Sequence, residues 1–163
     1  AGLAEHAAAS TCEQPPYSIL VRAIENQVLP VCVRNDVGIV VWAPLNGGWL
    51  TGKYQGDAVD ASWRAERKGE HFDHRDVAMR ERKRDLVARL ITIADEAGIG
   101  ISDLAIGFIL ANPAITSLLV GPRTPEQLTS LLGVAHAPLG RDVLAAIDTV
   151  VAPGITINPA DKG

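Results

Sequence analysis

The chain has 163 residues, 47% of them hydrophobic and 21% charged, with a formal net charge of −4. That balance fits one globular domain and argues against a nucleic-acid partner, because neutralising phosphates needs a basic face. No apolar run reaches the length of a membrane span, and two cysteines, Cys12 and Cys32, are too few for a disulfide framework, so a reducing cytoplasm is the default compartment.

The chain opens on Ala1 without a charged-then-apolar leader, and its only methionine is Met79, so we expect a piece of a longer protein. Residues 1 to 10 are Ala-rich and fit the last turns of a helix. Ser10 to Gln14 suits a short strand, ended by Pro15-Pro16, which remove backbone donors. From Ile19 to Asn35 the apolar residues Leu20, Ile24, Val28, Val31 and Cys32 recur at helical spacing, and Pro30 is expected to split them into two short helices. Gly38 to Trp42 is a β-branched run, apolar throughout, which fits a strand buried on both faces of a parallel sheet. Pro44 ends it, and Asn46-Gly47-Gly48 gives a turn with backbone freedom.

The polar stretch Tyr54 to Arg75 reads as a long loop, of the kind that is functional or mobile. An amphipathic helix follows over Asp76 to Ala97, with Leu86, Val87, Leu90, Ile91 and Ala94 as its apolar stripe and Gly98 as its stop. Ser102 is expected to cap a second helix, which Pro113 ends. Thr116 to Val120 is the third strand. Thr124-Pro125-Glu126-Gln127 then combines an N-cap, a proline at the first helical position and a capping-box glutamine. A last helix is predicted over Asp142 to Val151, and the final six residues read as a polar tail. Strands alternating with helices imply parallel β/α units, either a small doubly wound domain or a slice of an eight-stranded barrel.

In both folds the segments after the strands build the active site. Here these are Gln14-Pro15-Pro16, Pro44 to Tyr54, and Gly121 to Gln127. The third has the clearest mechanism. A helix start offers free N–H groups and a positive dipole end, and Arg123 adds a planar donor fork, a combination suited to phosphate. The alternative is an ordinary loop with a surface arginine, since most capped helices bind nothing. In the second, composition alone favours Trp42 as a core residue and Lys53 as a solvated charge. His71, Asp73 and His74 lack further ligands for a metal site, and Arg64, Arg67 and Lys68 read as part of a mixed solvated face. There is no Gly-x-Ser-x-Gly, no phosphate-loop pattern and no Gly-x-Gly-x-x-Gly after a strand.

Glu13-Gln14-Pro15-Pro16-Tyr17-Ser18, the stretch from Val41-Trp42-Ala43-Pro44-Leu45 to Gly52-Lys53-Tyr54, and Gly121-Pro122-Arg123 to Glu126-Gln127-Leu128 together resemble the C-terminal part of aldo-keto reductases. The similarity is greatest to the bacterial branch related to potassium channel β subunits. The resemblance implies an incomplete (β/α)8 TIM barrel, this chain supplying strands six to eight with their helices and lacking the N-terminal half as its partner. It implies NADP(H) as cofactor and a small-molecule carbonyl substrate. By the same analogy Gln14 would bond the nicotinamide carboxamide and Trp42 would stack on the ring. Ala43, Pro44, Leu45, Asn46 and Gly47, with Lys53 and Arg64, would line the pyrophosphate. Gly121, Arg123 and Gln127 would hold the 2′-phosphate.

The chain departs from the pattern at Ser130 and Leu131, where the family often has Glu-Asn to grip the adenine, and at Ser62-Trp63-Arg64-Ala65, where related loops read Ser-Arg-Ala. The catalytic Asp, Tyr, Lys and His of the family lie in its first four strands, so no catalytic residue is assigned and the piece alone is expected to be inactive. A non-catalytic NADP(H)-binding sensor or scaffold, or a truncated inactive product, is the alternative reading.

Overall fold

A computed structural model describes residues 10–56, 76–134 and 138–162. Three strands run parallel in the order β1 (Cys12–Glu13), β2 (Gly38–Val41), β3 (Ser117–Leu118). Cys12 pairs with Gly38 and Glu13 with Ile39, while Val40 pairs with Ser117 and Val41 with Leu118. Pairing continues past the strand ends, since Pro16 bridges Trp42 and the Leu119 N–H reaches the Val41 carbonyl at 2.8 Å. The fold is thus α/β on a parallel sheet, the expected class.

The helices lie between and after the strands. α1 (Val28–Arg34) joins β1 to β2. α2 (Val77–Glu96) and α3 (Ile101–Leu110) join β2 to β3, and α4 (Pro125–Val134) and α5 (Arg141–Val150) follow. Pro30 does not split α1. It sits in the first turn, where its missing N–H would have no intrahelical partner, and the break falls before Val28, after a 3-10 turn at Ala23–Glu25. The long helix starts where expected, the Asp76 carboxylate accepting from Met79 N, and ends before Gly98 at φ 68°. Ser102 is not the cap of α3. Gly100 holds that position, and the Ser102 hydroxyl instead donates to the Leu50 carbonyl.

The strand β2 is not buried equally on both faces, as its composition suggested. Ile39 and Val41 are fully buried against a cluster that includes Val87, Leu90 and Ala94 of α2, Leu104, Phe108 and Ile109 of α3, and Ile147 of α5. Val40 and Trp42, which alternate with them, are only half-buried. Extending the register puts Gln14 beside Val40 on that same open face, with Ser117 and Leu119 across from them, and all three are exposed. Among the described residues, helices cover one side of this sheet only.

The end of the chain is docked rather than a loose polar tail. Ile157, Asn158 and Asp161 are buried, Ile157 N donates to Leu20 O, and a 3-10 turn spans Pro159–Lys162. A polar node fixes this region to the exit of β1. The Arg22 guanidinium contacts Glu25 and Asp148 at 2.8 Å each, donates to Val151 O, and stacks 4.9 Å from the Phe108 ring centroid. Burial opposes its charge, yet the bonds to Glu25 and Asp148 outweigh that and leave the guanidinium harder to deprotonate than usual. Tyr17 donates to Glu25 at 2.7 Å; burial, with that bond, holds its phenol well above the usual range. Among the described residues no helix is long and apolar enough to cross a membrane.

Among the described residues the outer edges of β1 and β3 have no strand beside them, and Leu119 and Val120 just after β3 and Leu128 and Leu132 of α4 lie exposed, Leu132 at 60%. Unpaired edges next to apolar surface drive association. The 163-residue chain produced alone is therefore expected to self-associate in sedimentation velocity runs. A single monomeric boundary together with a sharp reversible thermal transition would contradict this.

Candidate functional site

Parallel strands put their C-terminal ends on one edge, so the three candidate segments emerge side by side. Backbone hydrogen bonds tie the first two directly: Trp42 N donates to Pro15 O and Trp42 O accepts from Tyr17 N, both at 3.2 Å. Gln14 is exposed and Trp42 half-buried, two register positions apart on the open face of the sheet. Trp42 is thus not the core residue that composition favours. Trp49 takes that part, 1% exposed and edge-on to Tyr54 at 5.2 Å.

After Trp42 the backbone enters an uncommon conformation. Ala43 and Asn46 have φ of 55° and 47°, Gly47 and Gly48 of 66° and 103°, and Gly52 of 75°. Positive φ is a left-handed state that non-glycine residues adopt at a cost of about 1–3 kcal/mol and keep only when their surroundings impose it. Gly48 is favoured chiefly by its backbone conformation, and a Cβ there would stand 2.8 Å from Lys53 Cε and 2.9 Å from Lys53 Nζ. Lys53 therefore lies across the turn, exposed to solvent, its ammonium 4.7 Å from the Tyr54 ring centroid. Pro44 and Asn46 are buried, and Leu45 and Gly47 half-buried. The chain leaving the turn is held by α2, where Arg84 donates to the carbonyls of Tyr54 and Gly56.

Asn46 is the residue whose side chain the sequence did not explain. Its Nδ2 donates to Asp161 Oδ2 at 3.1 Å, and the same oxygen accepts from Lys83 Nζ at 2.8 Å. The Lys83 and Asp161 side chains are 0% and 3% exposed. An ionised carboxylate only accepts, so the amide nitrogen of Asn46 must face it. The buried Asn46 Oδ1 then has no hydrogen-bond partner among the described residues. Lys83 could have been noticed, because it is spaced four, seven and eleven residues before Val87, Leu90 and Ala94, on the buried stripe itself. Nothing local marks Asp161.

The third segment matches its expected cap with one change of partner. Gln127 N donates to the Thr124 hydroxyl, but the Gln127 side chain accepts from Arg123 N at 2.8 Å rather than from Thr124. Gly121, Arg123 and Gln127 are exposed. Hydrogen bonds from the Thr124 hydroxyl and from a backbone N–H hold the carboxyl of exposed Glu126 below the usual range. Ser130 is exposed and Leu131 half-buried in α4. Arg64, like His71, Asp73 and His74, lies outside the described residues.

The sequence model of the aldo/keto reductase family matches residues 4–152. The uncharacterized oxidoreductase YrpG of Bacillus subtilis is 30% identical over 138 residues, 85% of this chain and 39% of that protein. A protein of Arabidopsis thaliana, "Probable voltage-gated potassium channel subunit beta", is 32% identical over 120 residues, 71% of this chain and 35% of its own length. Protein tas of Escherichia coli is 31% identical over 137 residues, 84% of this chain and 38% of that protein. The chain spans less than two-fifths of the length of each of these curated relatives.

Gly48→Ala is expected to displace Lys53 and to strain the turn, lowering stability by about 1–3 kcal/mol. Urea denaturation measures the loss, and an unchanged midpoint would show that the turn tolerates a side chain there.

Proposed function

The chain belongs to the aldo/keto reductase family, and from that premise we propose that it carries the NADP(H)-binding side of a carbonyl reductase. The proposed whole is a (β/α)8 barrel in which β1, β2 and β3 are strands six, seven and eight. Its proposed substrates are aldehydes or ketones. The half-open sheet supports this reading, since a parallel sheet normally has both faces covered and further strands would close over Val40 and Trp42. A reducing cytoplasm is the proposed compartment, the default for a chain with two cysteines.

NADP(H), when bound, supplies or receives the hydride. The residues present suit it. Trp42 offers an aromatic face beside the exposed carboxamide of Gln14. Lys53, lying over the Gly48 turn, provides a cation for the pyrophosphate, with the backbone from Ala43 to Gly47 around it. Arg123 and the start of α4 provide a second cationic end, with Gly121 and Gln127, for the 2′-phosphate. Arg64 is proposed as a further pyrophosphate contact by family analogy alone. The observation that carries the proposal is this pairing of two cationic stations, at the exits of β2 and β3, with a half-exposed tryptophan at the same sheet edge.

Cofactor choice tests it. Arg123→Ala in the complete protein is expected to weaken NADPH binding by about tenfold or more, the scale of a lost charge-assisted hydrogen bond, and to leave NADH binding nearly unchanged. Fluorescence titration with both cofactors measures this. Equal losses for the two, or none, would remove the 2′-phosphate role from Arg123.

A further inference from the structure

We propose that Asp161 and Lys83 are positioning residues for the cofactor turn, acting through Asn46; this rests on the NADP(H)-binding reading above. Asp161 lies 115 residues after Asn46, in the docked C-terminal turn, and Lys83 lies on α2. One carboxylate oxygen, Asp161 Oδ2, receives both the Lys83 ammonium and the Asn46 amide. The ammonium also stands 5.5 Å from the Trp49 ring centroid, under the same turn.

Burying such a pair is costly, and an apolar pair of similar volume is often as stable. Its value is then directional. Asn46 holds φ 47° just before Gly47 and Gly48, and its amide is drawn to a buried carboxylate oxygen that also receives the Lys83 ammonium. Asn is the residue that tolerates left-handed backbone best after glycine, and here its side chain is also anchored. The turn is thereby shaped before any ligand arrives, which removes an ordering cost from binding. The end of the chain becomes part of the cofactor site without touching it.

The test uses the complete protein, two ligands and two variants. NADPH spans both cationic stations, whereas adenosine 2′-monophosphate reaches only the one at Arg123. Asp161→Asn withdraws the charge. Asn46→Gly keeps the backbone freedom and the buried ion pair but severs the link between them, and so serves where Asp161→Asn fails to fold. In each, NADPH affinity is expected to fall about tenfold, with adenosine 2′-monophosphate affinity held within about twofold. Unchanged NADPH affinity in a folded variant overturns the proposal, as does an equal fall for both ligands, which marks general loosening. An unmutated protein that binds neither ligand overturns the NADP(H) reading itself, a result distinct from any difference between variants.

Discussion

The hydrogen bonds that join β2 to β1 on one side and to β3 on the other are few, yet they decide where every other feature lies. Two strands of two residues and one of four give little pairing energy of their own. Their alignment is held by the apolar layer beneath, where Ile39 and Val41 are fully buried. A slip of one residue would turn Ile39 and Val41 outward and bring Val40 and Trp42 into the helix layer. Register therefore fixes which aromatic is core and which faces the open side. It also fixes that Gln14, Trp42 and Leu119 share a face, and that all three candidate segments leave from the same edge.

The turn after β2 answers a different demand. A chain that leaves a buried strand end and returns to a helix must satisfy its backbone without continuing the sheet. It does so through left-handed residues, and these need outside support. Support comes from three directions: Ser102 on α3, Arg84 on α2, and the Asp161 carboxylate from the C-terminal turn. Hydrophobic packing of Trp49 and Leu50, 1% and 0% exposed, fixes the floor of the turn. Lys53 is left on top because Gly48 offers no side chain to exclude it.

Features set by nearby residues were legible from the sequence. The three strands, the long helix with Asp76 and Gly98 at its ends, and the cap at Thr124 all follow from local spacing and turn chemistry. Pro30 is ambiguous in the sequence because a proline within a periodic run looks the same in the first turn as in the middle, and only the position of the preceding break distinguishes them. Ser102 fits a cap by residue type, whereas its hydroxyl answers the Leu50 carbonyl from another segment. The docked tail and the Lys83–Asp161 pair were invisible for a related reason. The pair joins residues 78 positions apart and the tail reaches back to Leu20, and neither periodicity nor composition reports on such contacts. Of the candidate site, the segments could be read, but the turn's anchoring could not.

The same geometry separates binding from proton transfer. A carbonyl reduction needs an acid whose pKa lies near the working pH and whose proton can reach the substrate oxygen. Tyr17 is buried, bonded to Glu25 and Asn112, and held well above the usual phenol range, which makes it a poor donor. Tyr54 is 1% exposed, and its hydroxyl is directed to the Gly47 carbonyl as part of the turn. All four histidines, His6, His71, His74 and His136, fall outside the described residues. Among the described residues, Lys53, Arg123, the Gln14 amide and exposed backbone at the sheet edge suit an extended anionic ligand, with Glu126 and the Thr124 hydroxyl at the start of α4. Under the proposed reading, neither described tyrosine serves as the proton donor, and this part would hold the cofactor against which a donor elsewhere in the complete protein acts.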